Sequence, residues 1–452
     1  MALEKKRAKR ASASSDQSIL VKNTNIWTGN KFVRGSILIE DGRISRIARM
    51  ITNSSVQAID GSGLHALPGL LDVHVHLRDM KLSHKEDFAT GTAAAAAGGF
   101  TTVLDMPNTL PPTDSPVRLA EKIRRAARLV HVNVGFHVAA KSDQRAVSAF
   151  AKAGAFSLKL YMPKPIAPFE VNDDATVREL MDHARKARIP ITVHAEDLGR
   201  PEQTETIRDF EQLALSRSPI LETHAVRRIL KIQKRSRARV HFCHITLRSS
   251  LEMIASASGR ITSEVTPHHV LLSTPLLRKI QWRGWMVPPL RKNAEREALM
   301  DAMVSGRASV VASDHAPHTI QEKDQPAGKS LPGVPGLETT LPLMLTLVSK
   351  RVLTLSRLVK LLAEHPAEIF GLRSKARLQR GFDGDLVLVD LKKRSRIDSS
   401  KFYSKARFSP FDKFQTIGAV NSTIVGGRLV YHDGEIVERE GCGSVLQSGM
   451  SG

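Results

Sequence analysis

The feature that most constrains this fold is an alternation that begins near residue 66. Apolar, β-rich runs of seven or eight residues are separated by longer helical patterns. The runs are GLLDVHV (69–75), FTTVLDM (100–106), HVNVGFHV (131–138), AFSLKLYM (155–162), IPITVHA (189–195), ARVHFCHI (238–245), RITSEVT (260–266) and ASVVASD (308–314). Helical patterns such as KEDFATGTAAAAAG, PVRLAEKIRRAARLV and NAEREALMDAMV lie between most of them. That alternation argues for parallel βαβ units. Eight such units in about 250 residues have the size of a (β/α)₈ TIM barrel, expected over residues 66–365.

The flanking segments have a different texture. Residues 18–65 hold short strands and tight turns (SILVKN, IWTG, GSILIEDGRISRIA), with hairpin chemistry at Glu40-Asp41-Gly42-Arg43. Residues 366–440 contain a second β-rich stretch, including GDLVLVD and STIVGGRLVYHDGEIV. The two are expected to meet in one small composite β-sandwich domain, making an α/β chain overall. Residues 1–17 read as a basic, disordered tail, and residues 441–452 as a flexible one.

Composition narrows the function classes. No run of eighteen apolar residues is present, and the basic start MALEKKRAKRASASSDQS lacks the apolar region of a secretory signal. Membrane contact is not expected. Two cysteines, Cys243 and Cys442, exclude a disulfide framework and fit a reducing, cytoplasmic setting. The net charge of +22 raises the question of nucleic acid. Yet the basic residues are spread along the chain, aromatics are sparse and no binding motif appears, so no nucleic-acid partner is expected. A solvated basic surface that attracts an anionic small-molecule substrate is the better reading.

Chemistry concentrates at the strand ends. His74 and His76 lie two apart in Asp72-Val73-His74-Val75-His76-Leu77-Arg78, so their side chains leave one strand on the same side. Imidazole suits zinc and its neighbours. His194 ends the fifth run, His244 the sixth, and Asp314 the eighth, with His315 and His318 just beyond. In a barrel these ends share one rim, so the residues converge on a metal site. Lys159 sits inside the apolar run AFSLKLYM, where an unpaired ammonium is costly to bury. Alone, it reads as a lysine that snorkels or pairs with an acid. Beside a metal cluster short of anionic bridges, it reads instead as a lysine carbamylated by carbon dioxide. Cys243, His244 and Glu264 form a further group that is either an extra zinc site or an ordinary buried thiol with its neighbours. His268 and His269 read as supporting groups or satisfied core residues.

Taken together, these residues resemble the amidohydrolase superfamily and, within it, the dihydroorotases. The resemblance runs from about residue 60 to 435, through PGLLDVHVHLR, HKEDFATGTAAAAAGGFTTVLDMPNT, LKLYM, VHAE, HFCHIT, SEVTPHH, ASDHAPHT, PGVPGLET and SKARFSPF. It implies two zinc ions per subunit. His74, His76 and Asp314 would hold the more buried one, and His194 and His244 the other. Lys159, as N6-carboxylysine, would bridge them. Arg78, Asn108 and His318 would bind the substrate α-carboxylate, with His76 beside them, and Pro332 and Gly333 would meet the ring edge. The implied reaction is the reversible cyclisation of N-carbamoyl-L-aspartate to L-dihydroorotate in pyrimidine biosynthesis, with Asp314 as general acid and base.

Hydantoinases and allantoinases share the barrel, but lack the arginine after His-x-His and the Met-Pro-Asn-Thr run. Scaffold relatives of aspartate carbamoyltransferase lose metal ligands, whereas all six positions are filled here. A complex with that enzyme and a homodimer stay open as partner readings. The chain departs from the family pattern at Asp79-Met80-Lys81, at Val287 in Val287-Pro288-Pro289-Leu290-Arg291, and at His365-Pro366. The loop at 319–335 reads equally as a lid or a plain surface loop.

Overall fold

The computed structural model describes residues 18–53, 56–197 and 207–449. The expected disordered tail over residues 1–17 lies outside the described residues. Eight barrel strands follow in order: Leu70–Val75, Phe100–Asp105, Asn133–Phe136 continued by Val138–Ala139, Leu158–Tyr161, Ile191–His194, Val240–Phe242, Ile261–Val265 and Val310–Val311. Neighbours pair in parallel throughout. The third strand breaks at His137, whose N–H donates to Asp105 O while Val138 N–H donates to Ser157 O. Its two halves therefore pair with opposite neighbours. The ring closes where His76 N–H donates to His315 O at 2.7 Å. The Asp72 carboxylate reinforces the seam by accepting Ser313 N–H at 3.1 Å.

Parallel strands covered on both faces must be apolar almost without interruption, and every residue from Leu70 to Val75 is buried. Close packing also explains Gly135, since a Cβ there would lie 2.3 Å from the Phe156 ring. The helix Phe88–Ala97 starts at an Asp87/Thr90 capping box. Its alanines form helix readily and are small enough to lie flat between the barrel and the terminal strands. Ala93 to Ala96 are buried, and the Thr423 hydroxyl donates to Ala96 O at 2.7 Å.

Strands from both flanking segments join in a single nine-stranded mixed sheet. The junction is antiparallel, pairing Leu386 with Pro68 and Val389 with His65. One face carries its own core, including Val21, Ile37, Ile39, Ile59, Leu386 and Ile424. Val387, Val389, Val425 and Val430 belong instead to the barrel core.

The expectation of a flexible tail from residue 441 is corrected over residues 441–449. Gly443 N–H donates to Val130 O at 2.9 Å, Val134 N–H to Ser444 O at 2.9 Å, and Leu446 N–H to Val134 O at 2.8 Å. The break at His137 leaves one edge of Asn133–Phe136 without a barrel partner, and this segment fills it.

Candidate metal centre

The residues expected at the site come from the C-terminal ends of five strands, and the fold brings most of them together. His74 Nε2 lies 3.3 Å from Asp314 Oδ1, and His76 Nε2 lies 3.1 Å from the same oxygen. His74 packs against His244 with ring centroids 5.2 Å apart, and His244 against His194 at 4.3 Å. Lys159 is buried, and its ammonium donates to Cys243 Sγ at 3.0 Å. Among the described residues it has no carboxylate partner. His244 and Asp314 adopt positive φ values of 33° and 45°. Non-glycine residues rarely hold that conformation, and it marks strain of the kind kept at functional sites.

The outer nitrogens of the first histidine pair are held from behind. His74 Nδ1 donates to Glu264, a buried carboxylate that also accepts from His241 Nε2 at 3.0 Å and from His244 N–H at 3.1 Å. His76 Nδ1 donates to Asn108 Oδ1 at 2.6 Å. Such supports fix the tautomer and turn the other nitrogen toward a metal. Burial and the nearby Arg78 hold the His76 pKa down at about 4, so its ring is neutral with the proton on Nδ1. Its Nε2 lone pair therefore faces Asp314, whose carboxyl stays ionised despite burial because the protonated His74 lies beside it. Two acceptors 3.1 Å apart leave a seat that a cation satisfies. His244 adds a buried Nδ1 without a hydrogen-bond partner among the described residues. The donor set fits divalent metal ions.

Comparison with known proteins agrees with this chemistry. The profile of the amidohydrolase family, whose members are typically metal-dependent, matches residues 65–430. A dihydroorotase of Methanothermobacter thermautotrophicus is 40% identical over 417 residues, covering 90% of this chain and 93% of the relative. A dihydroorotase of Bacillus cytotoxicus is 34% identical, covering 88% and 94%. The chain belongs to the amidohydrolase family, among its dihydroorotases. An L-hydantoinase (dihydropyrimidinase) from Arthrobacter aurescens superposes with a TM-score of 0.90 at 28% identity, covering 95% of this chain and 99% of that one. A dihydropyrimidinase from Brevibacillus agri, at 24% identity and a TM-score of 0.87, shares the fold.

Beside these candidate ligands stands a cationic seat. Arg78 is buried, yet among the described residues no carboxylate lies within ion-pair distance of it. Burial lowers its pKa to about 10, which still leaves it charged at neutral pH. Its Nε donates to Pro317 O at 3.2 Å, and its Nη2 lies 3.2 Å from His318 Nε2. On the other side of that ring, Lys85 Nζ is 3.3 Å from His318 Nδ1. Burial and these cations keep His318 neutral. When Nδ1 accepts from Lys85, Nε2 is the donor and turns to Pro332 O at 3.1 Å. The Arg78 Nη2 donors then face no acceptor on His318. Gly333 follows Pro332 at φ 139°, where a Cβ would lie 2.5 Å from Ala316 O and 3.3 Å from His318 Cδ2.

The loop that carries Arg78 is contorted. Arg78, Asp79 and Met80 all have positive φ (57°, 47° and 51°). The unusual Asp79 explains how it holds: its buried carboxylate accepts from Met80 N–H, pairs with Arg125, and accepts Phe88 N–H at 3.0 Å. The loop at 319–335 is fastened rather than free. Lys323 is buried and donates to Trp285 O at 2.8 Å and Leu331 O at 3.0 Å, and Trp285 Nε1 donates to Ser330 O at 3.2 Å. Val287 packs as a partly buried side chain against the neighbouring apolar cluster.

Several supporting residues carried no separate signal in the sequence. Glu196 accepts from His194 Nε2 at 3.2 Å and is clamped by Arg217, and these two partners hold the carboxyl pKa down at about 2 despite burial. Tyr161 packs on His194 with centroids 4.4 Å apart. The VHAE and LKLYM motifs contain both residues, but a motif shows only that they travel with the ligands. His315 turns away from the cluster, with Nε2 3.5 Å from Glu86. His269 is a satisfied core residue, bonded to Thr266 and Pro288 O, whereas the buried His268 Nε2 has no partner among the described residues. His74, Cys243 and Glu264 also converge, each offering an atom within 4.8 Å of the others.

Proposed function

We propose that this chain catalyses the reversible cyclisation of N-carbamoyl-L-aspartate to L-dihydroorotate, with two zinc ions and Lys159 as its carbamate. The observation that carries the reading is the buried, carboxylate-free Arg78 beside His76 and Asp314. An unpaired guanidinium in a buried site calls for an anion, and the ring carboxylate of dihydroorotate supplies one. The 40% and 34% identical dihydroorotases support the same substrate.

His74, His76 and Asp314 would hold one ion, His194 and His244 the other, and the Lys159 carbamate would bridge them. Bound divalent ions would supply a hydroxide at neutral pH and polarise the ring carbonyl. Arg78 and Asn108 bind the carboxylate, with the neutral His318 completing the seat and directing the Pro332–Gly333 backbone toward the ring edge. In ring opening, a hydroxide oxygen adds to the carbonyl carbon and the ring C–N bond breaks. Asp314, ionised in the resting site, takes the hydroxide proton and passes it to the departing nitrogen. The water balances: its oxygen ends in the new carboxylate, one proton ends on the ureido nitrogen, and the other leaves to solvent when the hydroxide forms. In the opposite direction Asp314 removes that proton as the ring closes.

The close backbone likeness to an L-hydantoinase favours a second reading, hydrolysis of an uncharged cyclic amide. Such a ring would leave Arg78 unpaired. The deciding assay is ring opening of L-dihydroorotate by purified protein, with and without zinc and bicarbonate, alongside Asp314→Ala. Metal-dependent turnover lost in the variant supports the proposal; no turnover in folded, metal-loaded protein contradicts it. Both cysteines are free, Cys243 buried and Cys442 half-buried, in keeping with a reducing cytoplasm.

A further inference from the structure

A cavity opens on the opposite end of the barrel from the proposed metal ligands. Its volume is about 1070 Å³, and its lining includes Pro190, Arg239, Arg260 and Ser309, each just before a barrel strand. The helix His365–Phe370 and residues 371–377, with Phe382, complete the wall. Ligand pockets commonly span about 300–1,000 Å³, so the space suits a nucleotide-sized molecule.

The charges around it do not balance internally. Lys375 is neutralised by Asp383 at 2.9 Å and Asp385 at 2.6 Å. Arg239, Arg260, Arg373 and Arg377 also line the cavity, and among the described residues none has a carboxylate within 4.0 Å. Glu364 and Glu368 are the acidic side chains in the lining, so four guanidiniums face two carboxylates. Arg239 is half-buried with one donor committed to Ile369 O at 2.6 Å. Burial and the like charge of Arg260 both press its pKa down. Arg239 is half-buried beside the exposed Arg260, Arg373 and Arg377, and like charges clustered around one cavity attract an external anion. Guanidiniums favour phosphate because their fixed forks match its oxygens. Phe382, Leu372 and Ile261 give the same cavity an apolar side.

We propose that this cavity binds a phosphorylated small molecule of nucleotide size, its phosphates on the arginines and its ring against Phe382. The test uses the full chain and titrates inorganic pyrophosphate and adenosine 5′-diphosphate by calorimetry at low salt. Saturable binding of one molecule per chain is expected for both probes. Arg260 and Arg377 are exposed, so Arg260→Ala with Arg377→Ala leaves the fold intact. The pair should weaken both probes by about tenfold or more. Phe382→Ala should weaken the diphosphate and spare pyrophosphate. Arg78→Gln, in the metal-centre cleft, should change neither. Absence of saturable binding, or loss caused by Arg78→Gln and not by the arginine pair, overturns the proposal. So does binding of a single-stranded oligonucleotide in place of both probes.

Discussion

The two halves of the proposed metal centre are prepared differently. In the half formed by His74, His76 and Asp314, each imidazole is braced from behind, by Glu264 and Asn108, and the free nitrogens converge within 3.3 Å of one carboxylate oxygen. In the half formed by Lys159, His194 and His244, the groups face elsewhere. Lys159 points to the Cys243 thiol, His194 Nε2 to Glu196, and His244 Nδ1 has no partner among the described residues. Protonation divides them as well. Burial disfavours a charged His74, but Glu264 and Asp314 outweigh it and raise its pKa to about 10. Burial dominates at His194, where the pKa falls to about 4. One half is thus assembled around a proton that a metal must displace. The other sets the neutral imidazoles of His194 and His244 beside the Lys159 side chain, waiting for an anion to organise them, a role the Lys159 carbamate would fill.

The contrast can be broken most severely by removing the anions. Asp314→Ala should lower turnover by about a thousandfold or more, because it loses both a ligand and the proton carrier. Lys159→Ala should produce a comparable loss, with metal analysis showing one ion retained by the braced half; retention of two would contradict the assigned asymmetry. Glu264→Gln should weaken binding of the first ion by about 10–100-fold, read by competition with a chromogenic chelator, while a Glu196→Gln variant affects the second ion instead. Loading the first ion should expel about one proton from His74. Because its pKa without metal lies near 10, apparent affinity should fall about tenfold for each unit of acidification below that value. Calorimetry in two buffers of different ionisation enthalpy measures the proton directly. Asp79→Ala should have the smallest effect, raising KM several-fold by loosening the loop that presents Arg78.

The sequence shows the barrel clearly because its strands are buried on both faces and cannot disguise their apolar runs. Its irregularities are tertiary. The run 131–138 splits at His137, where the ring nitrogens bind Val73 O and Ser157. The run 308–314 shortens to Val310–Val311 because Ser313 N–H turns to the Asp72 carboxylate. The segment at 441–449 reads as a tail because the open strand edge that it fills exists only after folding. At the site, residue types and strand ends were legible at His74, His76, His194, His244 and Asp314. Which imidazole nitrogen faces inward was not, since Glu264 and Asn108 decide it from distant positions. The polar, small-residue composition of 319–335 leaves a lid open as a reading, and only the burial of Lys323 shows the loop to be tied down.

The proposed specificity turns on Arg78 as the seat of a substrate carboxylate. The direct measurement is kcat/KM for L-dihydroorotate and for hydantoin, in the metal-loaded protein and in Arg78→Gln. Removing a buried charge-assisted contact should cost about a hundredfold on L-dihydroorotate, mainly through KM, with any hydantoin turnover unchanged. Efficient hydantoin opening, with indifference of both substrates to Arg78→Gln, would contradict it.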